Sequence, residues 1–297
     1  MYTEKLDQII ELLTQLTLND EVLLDRIKSQ IRMVIHRAFG EQSHYLVQLD
    51  KISFYSIVYP VEKEYEMKVW NDGAEKLRNL LDTIRDDLSF FNPETQGTAT
   101  GENKTMFDNN RTSIILFLSA DPTDASRLRL GQEMRDIDNN LRMSQLRSAF
   151  ELKTFTSVRP AELARAMLET KPTIVHFSGH GTEQGALCFE NDNGQSQLIS
   201  PEAVQALFAQ FADSVECVLL NACYSEIQAT AIAQHIPYVI GMDTAIGDAA
   251  AIAFAVGFYQ AIGAGTSVEK AFHMGKVQIM LNGIPEHLTP TLIKQTS

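Results

Sequence analysis

The chain has 297 residues, of which 44% are hydrophobic, and carries 25 basic against 38 acidic side chains, a net charge of −13. This length predicts two domains with ordinary cores. The excess of acidic side chains argues against direct binding to nucleic acid or to an anionic membrane, because both are negatively charged. No apolar run is long enough for a membrane-spanning helix, and the N-terminus lacks the layout of a secretory signal, so we expect a cytoplasmic protein.

Residues 1–91 show helical periodicity. Apolar side chains recur every three or four residues in three stretches, 6–16, 23–35 and 77–88. Residues 44–60 fit a helix and a strand equally well. The stripes predict the core of a small helical bundle rather than a cofactor site. Because no cluster of catalytic residue types occurs here, we expect an adaptor or regulatory domain that docks onto a sensor or adaptor protein.

Residues 92–112 are rich in Gly, Thr, Asn and charged side chains and poor in large apolar ones. Such a segment cannot bury itself, which predicts a linker. The second predicted domain is then 113–297.

Short apolar runs alternate with helical patterns after the linker. The strand-like runs are 113–118, 150–155, 173–177, 216–220 and 238–242. The helical patterns are 126–147, 160–169, 201–212, 225–235, 248–262 and 266–281. This strict alternation predicts an α/β fold, with a mainly parallel sheet covered by helices on both faces. Such a sheet carries its chemistry at the carboxyl ends of its strands.

Two of these strands are followed closely by a side chain that can take part in catalysis, an imidazole in one case and a thiol in the other. The third strand leads into FSGHG, which contains His180, and the fourth into LNACYS, which contains Cys223. If the two strands are neighbours, imidazole and thiol face one crevice. A free thiol, with a pKa of about 8.5, needs such a partner to become a strong nucleophile at neutral pH. A helix beginning near Ser225 would also favour a negative sulfur and a developing oxyanion.

Several of these residues also have simpler interpretations. A cysteine after a strand is more often a buried filler than a nucleophile. Cys217, inside the fourth strand, and Cys188, in a predicted hairpin (ALCFEN), are predicted core thiols. Three cysteines without CxxC spacing indicate neither a disulfide framework nor a structural zinc site. His176 and His180 have H-x-x-x-H spacing but lack the Glu and the helix of a zinc protease, so no metal is predicted. The nearby glycines lack a nucleotide-binding fingerprint, and no cofactor is expected.

Four segments, in this order, support a resemblance to a known family: IILFLSADPTDASRLRLGQEMRDIDNNLR, IVHFSGHG, LLNACYS and GMDTAIGDAAAIAFAVGFYQAIGAGTSVEKAF. Together they resemble the CHAT domain, a caspase-like family related to separases and to clan CD cysteine peptidases. The resemblance covers roughly residues 113–283. It implies a caspase-like three-layer sandwich and a regulated cysteine endopeptidase acting on a protein substrate.

The resemblance also implies roles for particular residues. His180 is expected to be the general base and acid, Cys223 the nucleophile, and the amides of Gly181 and Cys223 the oxyanion donors. Asp248 aligns with an acidic position associated with a basic P1 residue, and Asp243 is a second candidate for this role. The alternative for Asp248 is an N-cap of the following helix.

The sequence departs from its relatives beside the cysteine, where Asn221 and Ala222 stand in place of the frequent Ser-Ala. Thr244 and Ala245 replace a usual Trp. The layout, with an N-terminal module similar to effector-associated adaptors, implies a role in bacterial conflict or antiviral programmes. Two alternatives stay open: a catalytically silent caspase-like scaffold and a nucleotide-responsive signalling domain on the same frame.

Overall fold

The computed structural model describes residues 2–41, 43–55, 63–91 and 112–295. The chain divides into two compact units, Met1–Thr100 and Gly101–Ser297. The predicted linker, residues 92–112, lies outside the described residues except for Thr112. No helix in the described ranges is both long enough and apolar enough to cross a membrane.

The first unit is helical, as predicted. Its helices are α1 (Tyr2–Thr14), α2 (Glu21–Phe39), α3 (His44–Lys51) and α4 (Lys63–Phe91). The carboxylate of Asp20 caps α2 by accepting a hydrogen bond of 3.0 Å from the Leu23 amide. Of the ambiguous stretch 44–60, the first eight residues form α3, and 56–60 lie outside the described residues.

The predicted apolar stripes form the core of this unit. Leu6, Ile27 and Leu81 are among the side chains with no exposed surface. Trp70 is also buried, and its ring meets those of Phe54 and Tyr55 edge-on at centroid distances of 5.2 and 6.0 Å.

The second unit contains a six-stranded sheet of order β2-β1-β3-β7-β8-β9 and a three-stranded sheet of order β4-β5-β6. The strands are β1 (Ser113–Ser119), β2 (Phe150–Phe155), β3 (Ile174–Ser178), β4 (His180–Gly181), β5 (Leu187–Glu190), β6 (Ser196–Ile199), β7 (Cys217–Asn221), β8 (Tyr238–Met242) and β9 (Pro290–Lys294). The helices are α5 (Leu130–Met143), α6 (Pro160–Thr170), α7 (Pro201–Ala209), α8 (Glu226–Ile232), α9 (Asp248–Gly263) and α10 (Val268–Leu281).

Alternation along the central strands divides the core between the two faces of the large sheet. On β7, Val218 and Leu220 join one cluster of buried side chains, which includes residues of α6, α7 and α8. Cys217 and Leu219 join the other, which includes residues of α5, α9 and α10. Successive strand side chains point to opposite faces, so each strand serves both cores. The predicted α/β class, with a mainly parallel sheet and helices on both faces, is confirmed.

The expected strict alternation of strand and helix is wrong in two places. The antiparallel sheet β4–β6 interrupts the crossover between β3 and β7, and β9 joins the large sheet antiparallel to β8. β3 and β7 nevertheless pair directly and in parallel, and Ser178 faces Asn221 in their last pair of residues. Their carboxyl ends therefore lie side by side.

Candidate active site

The chain places His180 and Cys223 just beyond these two strand ends. Each residue follows its strand by two positions, His180 after Ser178 and Cys223 after Asn221. Both line one cavity of about 40 Å³ that is also lined by the beginnings of α5 and α9. The structure thus brings the two predicted catalytic side chains to a shared cavity.

The two turns meet through their backbones. A Cβ atom added to Gly181 would lie 2.0 Å from the carbonyl oxygen of Cys223, so only glycine fits here without a shift of one turn. The next residue, Tyr224, has a φ of 56°, a left-handed conformation that is costly for a bulky side chain. Its amide donates a hydrogen bond of 3.1 Å to the Thr244 carbonyl. Close contact and a strained backbone therefore coincide at the cysteine.

The sulfur of Cys223 lies against the loop between β8 and α9. It is half-buried, and the Ile246 amide lies 3.5 Å from Sγ as a donor while the Ile246 carbonyl accepts at 3.7 Å. The other two thiols are buried, and burial raises the pKa of both Cys188 and Cys217. Cys217 and Cys188 thus lie where the sequence predicted, in β7 and in the small antiparallel sheet.

The imidazole of His180 is held by a backbone carbonyl. Its Nε2 lies 2.8 Å from the carbonyl oxygen of Ser126. A carbonyl can only accept a hydrogen bond, so Nε2 must carry a proton, and in the neutral ring Nδ1 becomes the acceptor. Ser126 was expected to begin the helical pattern 126–147, but α5 begins only at Leu130, so Ser126 lies before the helix.

Of the two acidic candidates, only Asp248 is among the residues that line the cavity. Its Oδ2 lies 3.2 Å from the amide nitrogen of Arg129, which donates, and 3.6 Å from Nε of the same residue. The N-cap of α9 is Gly247, and Asp248 is the first helical residue, so the N-cap interpretation of Asp248 is wrong. Asp243 follows β8, and its Oδ1 accepts a hydrogen bond of 3.2 Å from the Thr244 hydroxyl.

A buried carboxylate, Glu133 of α5, forms part of the cavity wall and was not predicted. It accepts hydrogen bonds from the Ser178 hydroxyl and, at 2.5 Å, from the Asn221 side-chain amide. Nε2 of His176 lies 3.1 Å from its Oε1, an ion-pair distance, although the ring N–H is not aimed well enough for a hydrogen bond. Burial acts to raise the pKa of Glu133, but the contacts with these three side chains outweigh burial and hold its pKa below the ordinary value.

The sequence contains a signal for Glu133. It precedes Ile137 and Leu141 at four-residue spacing, and all three are buried on α5. A polar residue on an otherwise apolar stripe indicates a buried polar contact, here with His176. The Nδ1 atom of His176 lies 3.2 Å from the Tyr259 hydroxyl, so its ring has different partners from that of His180. Across the described ranges, no group of three or more His, Cys, Asp or Glu residues is arranged to hold a metal ion.

The helix expected beside the sulfur is shorter than predicted. α8 begins at Glu226 and ends at Ile232, seven residues in all. Ser225 precedes it, but the Ser225 hydroxyl donates to the Leu220 carbonyl at 2.9 Å and accepts from the Met242 amide at 3.0 Å. Its side chain therefore joins the ends of β7 and β8 rather than capping α8.

The sequence profile of the CHAT domain matches residues 108–289. The chain belongs to the CHAT domain family. A Roc-COR-CHAT protease from an unknown prokaryotic organism is 28% identical over 158 residues, which cover 51% of this chain and 15% of that protein. A probable protease from Gillisia limnaea is 22% identical over 244 residues, covering 80% of this chain and 43% of the relative. The chain thus spans less than half of either relative.

A solved structure that aligns with this chain is a secreted C11 cysteine protease from Bacteroides thetaiotaomicron. It has a TM-score of 0.46 and 12% identity, over 62% of this chain and 66% of the other. The predicted CHAT resemblance is confirmed by the profile and by the relatives' names, and the CHAT domain contains both strand ends that lead to the cavity.

The contact at Gly181 predicts the effect of a single methyl group. Gly181→Ala should destabilise the CHAT domain by about 1–3 kcal/mol, because the Cβ clashes with backbone that cannot rotate away. The measurement is the urea concentration at which the fully buried Cys217 becomes reactive to a thiol reagent. Gly247→Ala is the matched control, since its Cβ would meet only the end of the Glu286 side chain. Equal midpoints for the two variants would contradict the prediction.

Proposed function

We propose that the chain is a cysteine endopeptidase in which Cys223 is the nucleophile and His180 the general base and acid. The observation that carries the proposal is their shared cavity, together with the backbone contact between Gly181 and Cys223 that joins the two turns. The protease names of the two CHAT relatives support the same reaction class.

The proposed reaction follows from the protonation of His180. Because Nε2 donates to the Ser126 carbonyl, Nδ1 receives the thiol proton while sulfur attacks the scissile carbonyl carbon. The C–N bond then breaks, the imidazolium gives its proton to the leaving amine, and an acyl-enzyme remains. Water, deprotonated by the same imidazole, hydrolyses the thioester and restores the thiol. The Ser126 carbonyl stabilises the imidazolium in both steps.

The amides of Gly181 and Cys223 are the proposed oxyanion donors. Their turns are held against each other, so two N–H groups can converge on one carbonyl oxygen without reorganisation during the reaction. Fixed backbone donors of this kind lower the barrier because the negative charge on oxygen grows only in the transition state.

A basic residue before the scissile bond is the proposed specificity. The half-buried carboxylate of Asp248 lines the cavity and is already paired with Arg129 of the same unit. A guanidinium or ammonium of the substrate would replace Arg129 as its partner. The cavity is only about 40 Å³, so residues 128–130, which line it, must also move aside for a peptide.

The helical first unit is proposed to dock onto a sensor or adaptor, which would recruit the peptidase or raise its basal activity. A role as an effector in bacterial conflict or antiviral defence, in the cytoplasm, is part of the same proposal. It rests on analogy of layout alone.

The first test is cleavage of a proteome-derived peptide library prepared by cutting after acidic residues, so that internal Arg and Lys bonds remain. Wild-type chain should produce new termini, and Cys223→Ala and His180→Ala should lower the rate by at least about a thousandfold, because nucleophile and base act as one unit. Cys188→Ala, which removes a buried thiol outside the cavity lining, should keep the wild-type rate. Cutting by Cys223→Ala at the wild-type rate would reject the proposal.

The second test compares peptides that differ only in Arg or its neutral isostere citrulline before the cut. Asp248→Asn should reduce the preference for Arg in kcat/KM about tenfold, the value of one partly exposed charge pair. Arg129→Ala should lower KM for the Arg peptide, because the competing guanidinium is gone. Asp243→Asn is the matched control; a larger loss of preference in that variant would transfer the specificity to Asp243.

A further inference from the structure

We propose that Glu133 is a positioning residue for the dyad: its buried carboxylate fixes the last pair of facing residues of β3 and β7 and thereby sets the spacing between His180 and Cys223. The inference rests on the proposed function. The described contacts of Glu133 are with Ser178, Asn221 and His176, so it acts on the dyad through the strands and not through the reacting atoms.

The distance along the chain from this pair to the dyad is short on both sides. Ser178 and Asn221 are the last facing residues of β3 and β7, and each reactive side chain follows two residues later. Turns of this length have little freedom to absorb a displacement. A shift between the two strand ends therefore moves the imidazole relative to the sulfur.

A single carboxylate joins both strand ends. One oxygen of Glu133 accepts from Ser178, the other from Asn221 at 2.5 Å, and alternation brings both donors to the face that α5 covers. The Asn221 amide also donates to the Ala251 carbonyl at 3.1 Å, which links α9 to the same pair. A carboxylate can accept from every one of these donors, whereas a glutamine in its place would point an amide N–H₂ at another donor.

The location of the Glu133 carboxylate favours a role in positioning the dyad over a role in stabilising the core alone. A buried carboxylate is costly, and well-packed apolar side chains often stabilise a core equally well. Glu133 nevertheless lies in the wall of the cavity that contains His180 and Cys223, with its side chain only 4% exposed. The Asn221 side chain is long enough to bring its amide to the carboxylate, at 2.5 Å.

The experiment measures alkylation of the full-length chain by iodoacetamide at pH 6.5, followed by mass spectrometry at each cysteine. At this pH an unassisted thiol reacts slowly, so the rate at Cys223 reports its partnership with His180. His180→Ala gives the unassisted rate, and Cys217, fully buried in β7, reports any loosening of the fold. Glu133→Gln should slow Cys223 at least about tenfold towards the His180→Ala rate while Cys217 stays protected.

Asp138→Asn is the matched control. It makes the same chemical change on the same helix, at an exposed carboxylate paired with Arg142 at 2.8 Å, and should leave the Cys223 rate unchanged. Wild-type reactivity of Cys223 in Glu133→Gln would overturn the positioning role. Loss of Cys217 protection in that variant would overturn it as well, because Glu133 would then support the fold as a whole. Equal rates in wild type and His180→Ala would instead reject the dyad, and with it the proposed function.

Ser178→Ala provides a second, milder test of the same contact. It removes one donor and leaves the carboxylate with Asn221 and His176. Its Cys223 rate should lie between those of wild type and His180→Ala. A wild-type rate in Ser178→Ala would contradict the route through the strand pair.

Discussion

The parallel pairing of β3 with β7 is the constraint on which the second unit depends. Parallel neighbours end at the same edge of a sheet, and here each continues for two residues before its reactive side chain. The segments that follow the two strands are held together at two places. The carboxylate of Glu133 binds side chains at both strand ends, and the backbone contact at Gly181 joins the two turns. The position of the cavity is therefore a consequence of sheet topology.

The large sheet was predictable because buried parallel strands are continuous apolar runs. The five predicted runs match β1, β2, β3, β7 and β8 to within one residue at each end. β6 and β9 were not predicted from the sequence, each for a different reason. β6 (SQLI) is polar and mostly exposed, so it has no strand-like apolar run. β9 (PTLIK) begins with a proline and follows the last helix, where an edge strand gives little signal.

The site was only half predictable. His180 and Cys223 stood out because a reactive side chain after an apolar strand is conspicuous in a sequence. Glu133 and Arg129 did not, since a charged residue in a helical pattern ordinarily faces water. Their roles depend on partners far away in the sequence, Asn221 for one and Asp248 for the other. The apolar stripe of α5 indicates that Glu133 is buried, but the identity of such long-range partners follows only from the folded arrangement.

Trp70 is the only tryptophan of the chain, and it is buried in the helical unit against Phe54 and Tyr55. Its fluorescence emission is thus an intrinsic optical probe of that unit, whereas all three thiols belong to the CHAT domain. A partner that rearranges the helices would change the emission without any added dye. Structural changes in one half of the chain and thiol reactivity in the other can therefore be followed simultaneously in unlabelled protein.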